Sequence, residues 1–570
     1  MKTITKQHCE FLRQQAKEKF NKVRGTWCDL LQWGMPHLST WILSQNPGER
    51  KNFHIVDPTH ILALRSCVAG FSEGNTSTTR PWARIDTRDS DKNDNEGNKA
   101  WLQHYTQRVM SQIRNSNFYN AAGGFYYQYH TVNTGAHYFE EMENGVHVHT
   151  LIPGSYFPIN NSRGVAVILV REFCLNVKAL VDTYGVKNKD GKVKWDNFSY
   201  GVKKMYDDGH YTQQIEVCHI IMENPEWDIR NPDAPFNRRW LELTYEVGAG
   251  GRNGNTYGDG NAFELLATDK DQDVFLKRFT TKRKPFVVGK STDEFEYGEK
   301  GPMLDSLGLI KSLNKKAIGK DQALEQILNP ALQGPASLRK SYVSSAPNTY
   351  VPLDSRSVSG KQKVESIYQI NPAIQYLIQD TGDLRNQVDK LFYADFLMFL
   401  SRNPKTRTAA ETNAIVDEQQ RVVGPSLQSL NTTYNIPVLE YFMDYTLFED
   451  PYLDPPPEAL AGQSLNPELV SIFAQAQKAA DLPAIERYMA MVTNVGQVNP
   501  KIWEKANLDK LADLYEDRLY LPTGLNNPQS KVDAMREQAQ RQMQQQQMLQ
   551  ETIPAVAGAA KDLAAARPRE

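Results

Sequence analysis

The chain has 570 residues, of which 40% are hydrophobic and 23% charged, and its formal net charge is −2. That length exceeds what one core can organise, so several subdomains are expected, and the composition is that of a soluble globular protein. A near-neutral balance excludes a tight nucleic-acid clamp, whose affinity would rest on a basic excess that neutralises phosphates.

No apolar run approaches the roughly eighteen residues of a membrane span. The N-terminal MKTITKQHCEFLRQQ lacks an apolar signal core, so no export is expected. The cysteines (Cys9, Cys28, Cys67, Cys174 and Cys218) are scattered without a CxxC pair and read as reduced thiols in a cytoplasmic setting.

Residues 1–45 read as mainly helix, anchored by Phe11, Phe20, Trp27, Trp33 and Trp41. Asp57-Pro58, a cap followed by a first-turn proline, opens a second helix that runs to about Gly70. Pro81–Thr87 is a predicted strand, and a polar loop then leads into a helix carrying Trp101, Leu102, Tyr105, Val109, Met110 and Ile113. From Gly145 to Val288 the pattern is mainly β: VHVHTLIP, AVILVREF, QIEVCHIIM, WLELTYEVG and AFELLAT are β-branched or aromatic runs between turn clusters. A shorter helix is expected at Leu175–Thr183.

The stretch from Gly301 to Thr446 reads as helix, insertion, helix, basic loop, kinked helix. In the first helix Leu304, Leu307, Ile310, Leu313 and Ala317 make one apolar face, with Lys311 and Lys315 on a different side. Asn329 to about Gly360 is a Pro/Ser/Gly-rich insertion with short strands at most. The next helix opens at Asn371-Pro372, runs to Leu400, and carries Ile374, Leu377, Ile378, Val388, Leu391 and Phe392 in the same rhythm. A basic loop with Arg402, Lys405 and Arg407 precedes a third helix, capped by the box Thr408-x-x-Glu411 and interrupted by Pro425 and Pro437. Asp454-Pro455-Pro456-Pro457 marks a boundary. Short helices are expected beyond it, opening at Asn466-Pro467, near Pro483 and at Lys501–Tyr520, before a Gln/Met-rich segment of helical propensity.

The chemical motifs fail on their details. Gly289-Lys290-Ser291 lacks the first glycine of a phosphate loop, since position 284 is Lys and acidic residues follow, so it reads as a strand end. Gly248–Gly260 lies between two strands and reads as a long hairpin loop. Asp89, Asp91 and Asn93 begin like a calcium loop, but Asp94 and Ala100 stand where glycine and glutamate are needed. His147 and His149 share a strand face without a visible third ligand. The sequence supports no catalytic residue, no metal and no cofactor.

The order helix, insertion, helix, basic loop and kinked helix resembles the core of a phage portal protein, the head-to-tail connector of short-tailed, podovirus-type phages. KPFVVGKSTDEFEYGEKGPMLDSLGLIKSLNK carries the closest match, with a similar strand, polar linker, Tyr-Gly turn and Gly-Pro helix start. SNFYNAAGGFYYQYHTVNTGAHYFEE resembles the family's helix-to-strand transition into its wing.

The resemblance implies an α+β portal fold: wing 1–300, stem helix 301–328, clip 329–366, stem helix 367–400, tunnel loop 401–408, kinked wing helix 409–452, and crown with helical tail 453–570. It implies a non-enzymatic dodecamer at one capsid vertex of the virion, assembled in the host cytoplasm. Its partners would be double-stranded DNA, held non-specifically, the terminase large subunit, the major capsid and scaffolding proteins, and a tail adaptor. Arg402, Lys405, Arg407, Lys311 and Lys315 would then face the DNA channel. The alternatives are a nucleic-acid-binding assembly adaptor or a terminase-like packaging enzyme, the latter opposed by the missing phosphate loop.

Overall fold

Thr5 caps the first helix by accepting the His8 N–H on its hydroxyl, and α1 (Lys6–Gly34) follows, burying Phe20, Trp27, Leu30 and Leu31 along one stripe. The computed structural model describes residues 4–43, 50–87, 96–143, 145–188, 192–231, 237–249, 275–292, 297, 300–328, 332–333, 365–366, 374–394, 423–460, 462–470, 482–498, 508, 511, 532 and 534–544. The chain divides into two units, Met1–Thr78 with Gln112–Phe448, and Thr79–Ser111 with Glu449–Glu570.

In the larger unit α1 is followed by the short α2 (Thr40–Leu43) and by α3 (Thr59–Asn75). Asp57 starts α3 by accepting the Thr59 N–H at 3.0 Å. Beyond α4 (Glu96–Asn115), which runs across the division between the units, α5 (Phe118–Val132) ends on Asn133 at φ 64°, a left-handed conformation that asparagine tolerates. That turn delivers the chain into β2 (Thr134–Met142), which pairs antiparallel with both β3 (Gly145–Thr150) and β9 (Phe286–Lys290).

The second sheet is a meander in which each strand pairs antiparallel with the next: β4 (Tyr156–Asn160), β5 (Ala166–Asn176), β6 (Gln214–Glu223), β7 (Trp240–Ala249) and β8 (Lys277–Thr281). Two short helices, α6 (Val177–Tyr184) and α7 (Tyr200–Asp207), pack Leu180, Val181, Val202 and Met205 with Ile215 and Val217 of β6. The strands expected at β3, β5, β6 and β7 and the helix expected at Leu175–Thr183 are present. Ala262–Thr268, the remaining strand expected in that region, lies outside the described residues. Sequence reading missed β4, β8 and α7. Tyr156 and Phe157 are both buried, so β4 shows no alternation, and it contains Pro158 and a register shift at Ile159/Asn160.

Glu172 is a charged residue in the mainly apolar β5, next to Arg171, and is fully buried. Arg13 and Lys17 of α1 hold its Oε1 at 2.6 and 2.8 Å. Burial pushes its pKa up, but the two cations outweigh that and hold it below the usual carboxylate value.

The larger unit then contributes α8 (Pro302–Leu328), the antiparallel residues β10 (Leu332–Gln333) and β11 (Glu365–Ser366), and α9 (Ile374–Leu391). Beyond them, residues 423–430 are helical, Asn431–Asn435 form a π-turn, and α10 (Ile436–Glu449) continues. The π-turn closes where the Ile436 N–H reaches Asn431 O, one residue before Pro437. Proline has no N–H for the next intrahelical bond, so the interruption expected there takes the form of a widened turn.

The smaller unit pairs β1 (Ala83–Thr87) antiparallel with β12 (Leu465–Leu469). This corrects the reading of Asn466-Pro467 as a helix start. Val470 N–H donates to Trp82 O, so alternation along the ladder puts Pro467, opposite Ile85, at a non-hydrogen-bonded position. Its missing N–H faces the open edge, where proline costs the ladder nothing. The same unit is tied by Arg108, whose Nε and Nη2 each reach the Asp450 carboxylate at 2.8 Å. Trp101 Nε1 donates to Asp454 O. Beyond β12 lie α11 (Leu482–Val498) and the helical residues 534–544 in the Gln/Met-rich segment. Lys501–Tyr520 lies almost wholly outside the described residues.

Candidate functional site: an antiparallel helix pair and its anchor

The Gly-Pro that opens α8 is a packing requirement. A Cβ at Gly301 would collide with Asn133 Oδ1, the residue that caps α5. Ile310, Leu313 and Ala317 are buried as expected, while Leu304 and Leu307 are only half-buried. The buried stripe instead includes Met303, Ser306 and Asn314. The two polar members were passed over because their side chains bond inside the helix: Ser306 Oγ donates to Pro302 O and Asn314 Nδ2 to Ile310 O.

Asn314 does more than fill space. Its Oδ1 accepts the Val56 and Asp57 N–H groups at 2.8 and 2.9 Å, which tethers α8 to the start of α3. Asp57 in turn receives Arg385 of α9 on Oδ2 at 2.8 Å. Lys316 of α8 is ion-paired with Asp380 of α9. Residue 314 meets the partner of 385 while 316 meets 380, so α8 and α9 run antiparallel.

On α9 the buried stripe is Thr381, Leu384 and Val388, continued by Phe392. Ile378, expected on the apolar face, is 56% exposed, and Tyr376 is 75% exposed. The helix was expected to reach Leu400, but α9 ends at Leu391 and Tyr393 adopts φ 56°. Phe392 is fully buried there and the Tyr393 ring lies 6.5 Å from Phe71, contacts that hold the chain in a conformation a bulky residue disfavours.

Lys311 Nζ is 2.9 Å from Asp29 of α1, both half exposed, whereas Lys315 is exposed and α8 brings it no carboxylate among the described residues. Arg402, Lys405, Arg407, the Thr408–Glu411 capping box and Asn371-Pro372 lie outside the described residues.

The kinked helix is anchored at its π-turn. The Tyr434 ring stacks on Phe125 of α5, centroids 3.5 Å apart and planes 6° from parallel. Its hydroxyl lies 3.3 Å from His137 Nδ1, and His137 Nε2 is 3.2 Å from Ala121 O. A carbonyl only accepts, so the proton sits on Nε2 and Nδ1 accepts from tyrosine. Burial drives the His137 pKa down to about 3, which keeps the ring neutral.

Lys290 N–H donates to Thr433 Oγ1, and Ser429 Oγ donates to Lys290 O. The Gly289-Lys290 pair is thus the end of β9, sealed against the kinked helix. A Cβ at Gly289 would strike the Phe125 ring. His149 pairs with Glu140 at 2.8 Å beside His147, and among the described residues no three metal-ligating side chains cluster. Among the described residues no helix is long and apolar enough to cross a membrane.

The polar residues singled out in this mixed helix-and-sheet body join its elements together. The chain belongs to the bacteriophage head to tail connecting proteins, whose family model matches residues 6–525. It is similar to the portal protein of Salmonella phage epsilon15, 27% identical over 542 residues, covering 94% of this chain and 91% of that one. It is also similar to the probable portal protein of Bordetella phage BPP-1, 27% identical over 521 residues, covering 91% and 88%. A solved chain from a native gene transfer agent virion aligns over 80% of this chain and 99% of its own at 9% identity and a TM-score of 0.30, too loose a likeness to carry an argument. A head-to-tail connector is a structural part of the virion at the capsid vertex where the tail joins, and not an enzyme.

Proposed function

We propose that this connector closes into a dodecameric ring at that vertex, forming the channel through which DNA is packaged and ejected. The ring would also dock the terminase large subunit and the tail adaptor, and contact the major capsid and scaffolding proteins. The observation that carries this reading is the apolar surface left exposed at the end of the helix pair next to the insertion. Ile318, Leu324 and Leu328 of α8 and Tyr376 and Ile378 of α9 are exposed in the single chain, although α8 and α9 have already buried one stripe each. Repeated side-by-side packing of such helices around an axis covers that surface without leaving an open end. The two-residue ladder between β10 and β11 closes the neck of the insertion, which suits a clip projecting from the paired stem helices.

In this arrangement Arg402, Lys405 and Arg407 face the channel from a loop, with Lys315 and Lys311 on the stem. Lys311 carries the smaller share, because Asp29 already neutralises it. These cations attract phosphates without reading bases, and salt screens them over about 8 Å at physiological strength. Light scattering and electron microscopy of the purified chain test the ring: closed particles with a central hole are expected, and a monomer at micromolar concentration refutes the proposal. Replacing Arg402, Lys405 and Arg407 together by Ala should leave rings intact and alter packaged genome length at low salt. Unchanged packaging at low salt removes those residues from the channel.

A further inference from the structure

Four histidines are buried among the described residues, His60, His130, His137 and His219, and they differ in what surrounds them. His219 Nε2 lies 3.0 Å from the Glu242 carboxylate, and the Asp57 carboxylate acts on His60 to favour its charged form. His130 and His137 have no such counter-charge. His130 lies where α5 meets α3, and His137 where α5 meets β2 and the π-turn. The His130 ring is set against Phe71 of α3, centroids 4.4 Å apart, and against its neighbour Tyr129 at 5.2 Å. Neither of its nitrogens has a hydrogen-bond partner among the described residues. The titratable groups beside Phe71 are the Cys67 thiol, one turn earlier on α3, and Tyr393; burial pushes both up, so both are neutral. Burial alone drives the His130 pKa down to about 3.

His137 is satisfied while neutral, through Ala121 O and the Tyr434 hydroxyl. A proton added to Nδ1 would face that hydroxyl, whose oxygen can turn to accept it, but the charge would lie among the Phe118, Phe125 and Phe139 rings. Thr150 Oγ1 is a further polar neighbour, 3.2 Å from Nε2, and carries no charge. Glu141, two positions along β2 on the same face, is already held by Arg283, and Tyr434 is kept neutral by burial. Both rings of this pair therefore take up a proton only where nothing balances it, which is costly in an apolar interior.

We propose that α5 is an acid-released joint: proton uptake at His130 and His137 parts it from α3 and from the kinked helix, while the five-stranded sheet stays folded. A histidine held neutral by burial stabilises the folded state fully above its unfolded value of about 6.5, and that contribution is lost as pH falls toward the folded value. The joint therefore loosens between about pH 6.5 and 5, where carboxylates remain ionised and the pairs at Glu172 persist. Within the sheet burial lowers the pKa of His219, Glu242 opposes it, and Arg171 and Lys277 add to the lowering, so the sheet is the less sensitive part. The joint acts whether or not the chain closes into a ring.

Hydrogen exchange of the full-length chain, read by mass spectrometry at pH 7 and pH 5 and corrected for the intrinsic rate, tests this. Between those values α5 should open more readily by about 25-fold for each histidine it frees, measured against peptides of β5 and β6. His130→Phe, which keeps a ring against Phe71, should remove one such factor. His137→Gln, which keeps a donor for Ala121 O and an acceptor for Tyr434, should remove the other. Each response is a ratio between two pH values in one protein, so a variant of lower overall stability still reports it. Together the two substitutions should leave α5 no more responsive than the sheet. Equal responses of α5 and the sheet in the parent chain overturn the joint. A parent-like response in the double variant does so too or, where that variant does not fold, in both single variants.

Discussion

Two regions of the larger unit are built from similar residues and finish differently. Around Tyr434 the aromatic rings are fully enclosed: Phe125 stacks on it, His137 accepts from it, and Gly289 and Gly135 lack a Cβ because the Phe125 ring occupies that space. Along α8 and α9 the buried stripe is narrow, and rings and aliphatic chains such as Tyr376 and Leu328 remain at the surface. Ion pairs elsewhere in the unit show the same contrast. Glu172 is fully buried under two cations, whereas Lys311–Asp29 and Lys316–Asp380 stay substantially exposed. Exposed pairs of this kind contribute about 0–1 kcal/mol each. The first region therefore sets the stability of the chain, and the second leaves surface free for association.

The comparison breaks most readily at Tyr434. Tyr434→Ala removes a ring from a closed stack and should cost about 3–5 kcal/mol in chemical denaturation. Tyr434→Phe, which deletes only the hydrogen bond to His137, should cost about 0.5–1.5 kcal/mol. Equal losses in the two variants would show that packing is not what the stack supplies.

A smaller effect is expected at Asp57, which ties the start of α3 to α9. Burial raises the pKa of this carboxyl, but the hydrogen bonds from Thr59 and the Arg385 guanidinium together outweigh it and leave the pKa lowered. A lowered carboxylate pKa stabilises the folded state above the unfolded value of about 4 and loses that contribution as pH falls through the folded value. Arg385 is half exposed, so most of the worth lies in the cap. Asp57→Ala should cost about 1–2 kcal/mol at neutral pH. Asp57→Asn, which keeps an acceptor for Thr59, should flatten the decline in stability below about pH 4. Parallel pH profiles for Asp57→Asn and the parent chain would remove Asp57 from the acid response.

The smallest effect on the chain itself should come from Tyr376→Ser with Ile378→Ser. Both side chains are exposed, so the stability of the dissociated chain should change by less than about 0.5 kcal/mol. The fraction of large particles in light scattering should fall. A large loss of chain stability with unchanged particle mass would reverse the distinction between the two regions.

Local pattern was enough for the long elements of this protein. Three- and four-residue spacing located α8 and most of α9, and β-branched runs located β3, β5, β6 and β7, because these segments carry one continuous face each. Pro437 announced the interruption of the kinked helix, since a missing N–H acts wherever the chain is helical. Long-range contacts decided the rest. Pro467 looks like a helix start and becomes part of β12 because β1, nearly four hundred residues away in sequence, offers it a non-hydrogen-bonded position. Ile378 fits the apolar rhythm of α9 but is left outside, while Ser306 and Asn314 break the rhythm of α8 and are taken in through bonds to their own helix. The ties through Asn314, Asp57 and Arg385 join three stretches that share no local pattern. Spacing along the chain reports which face of an element can be buried, and only tertiary packing decides which polar groups find partners there.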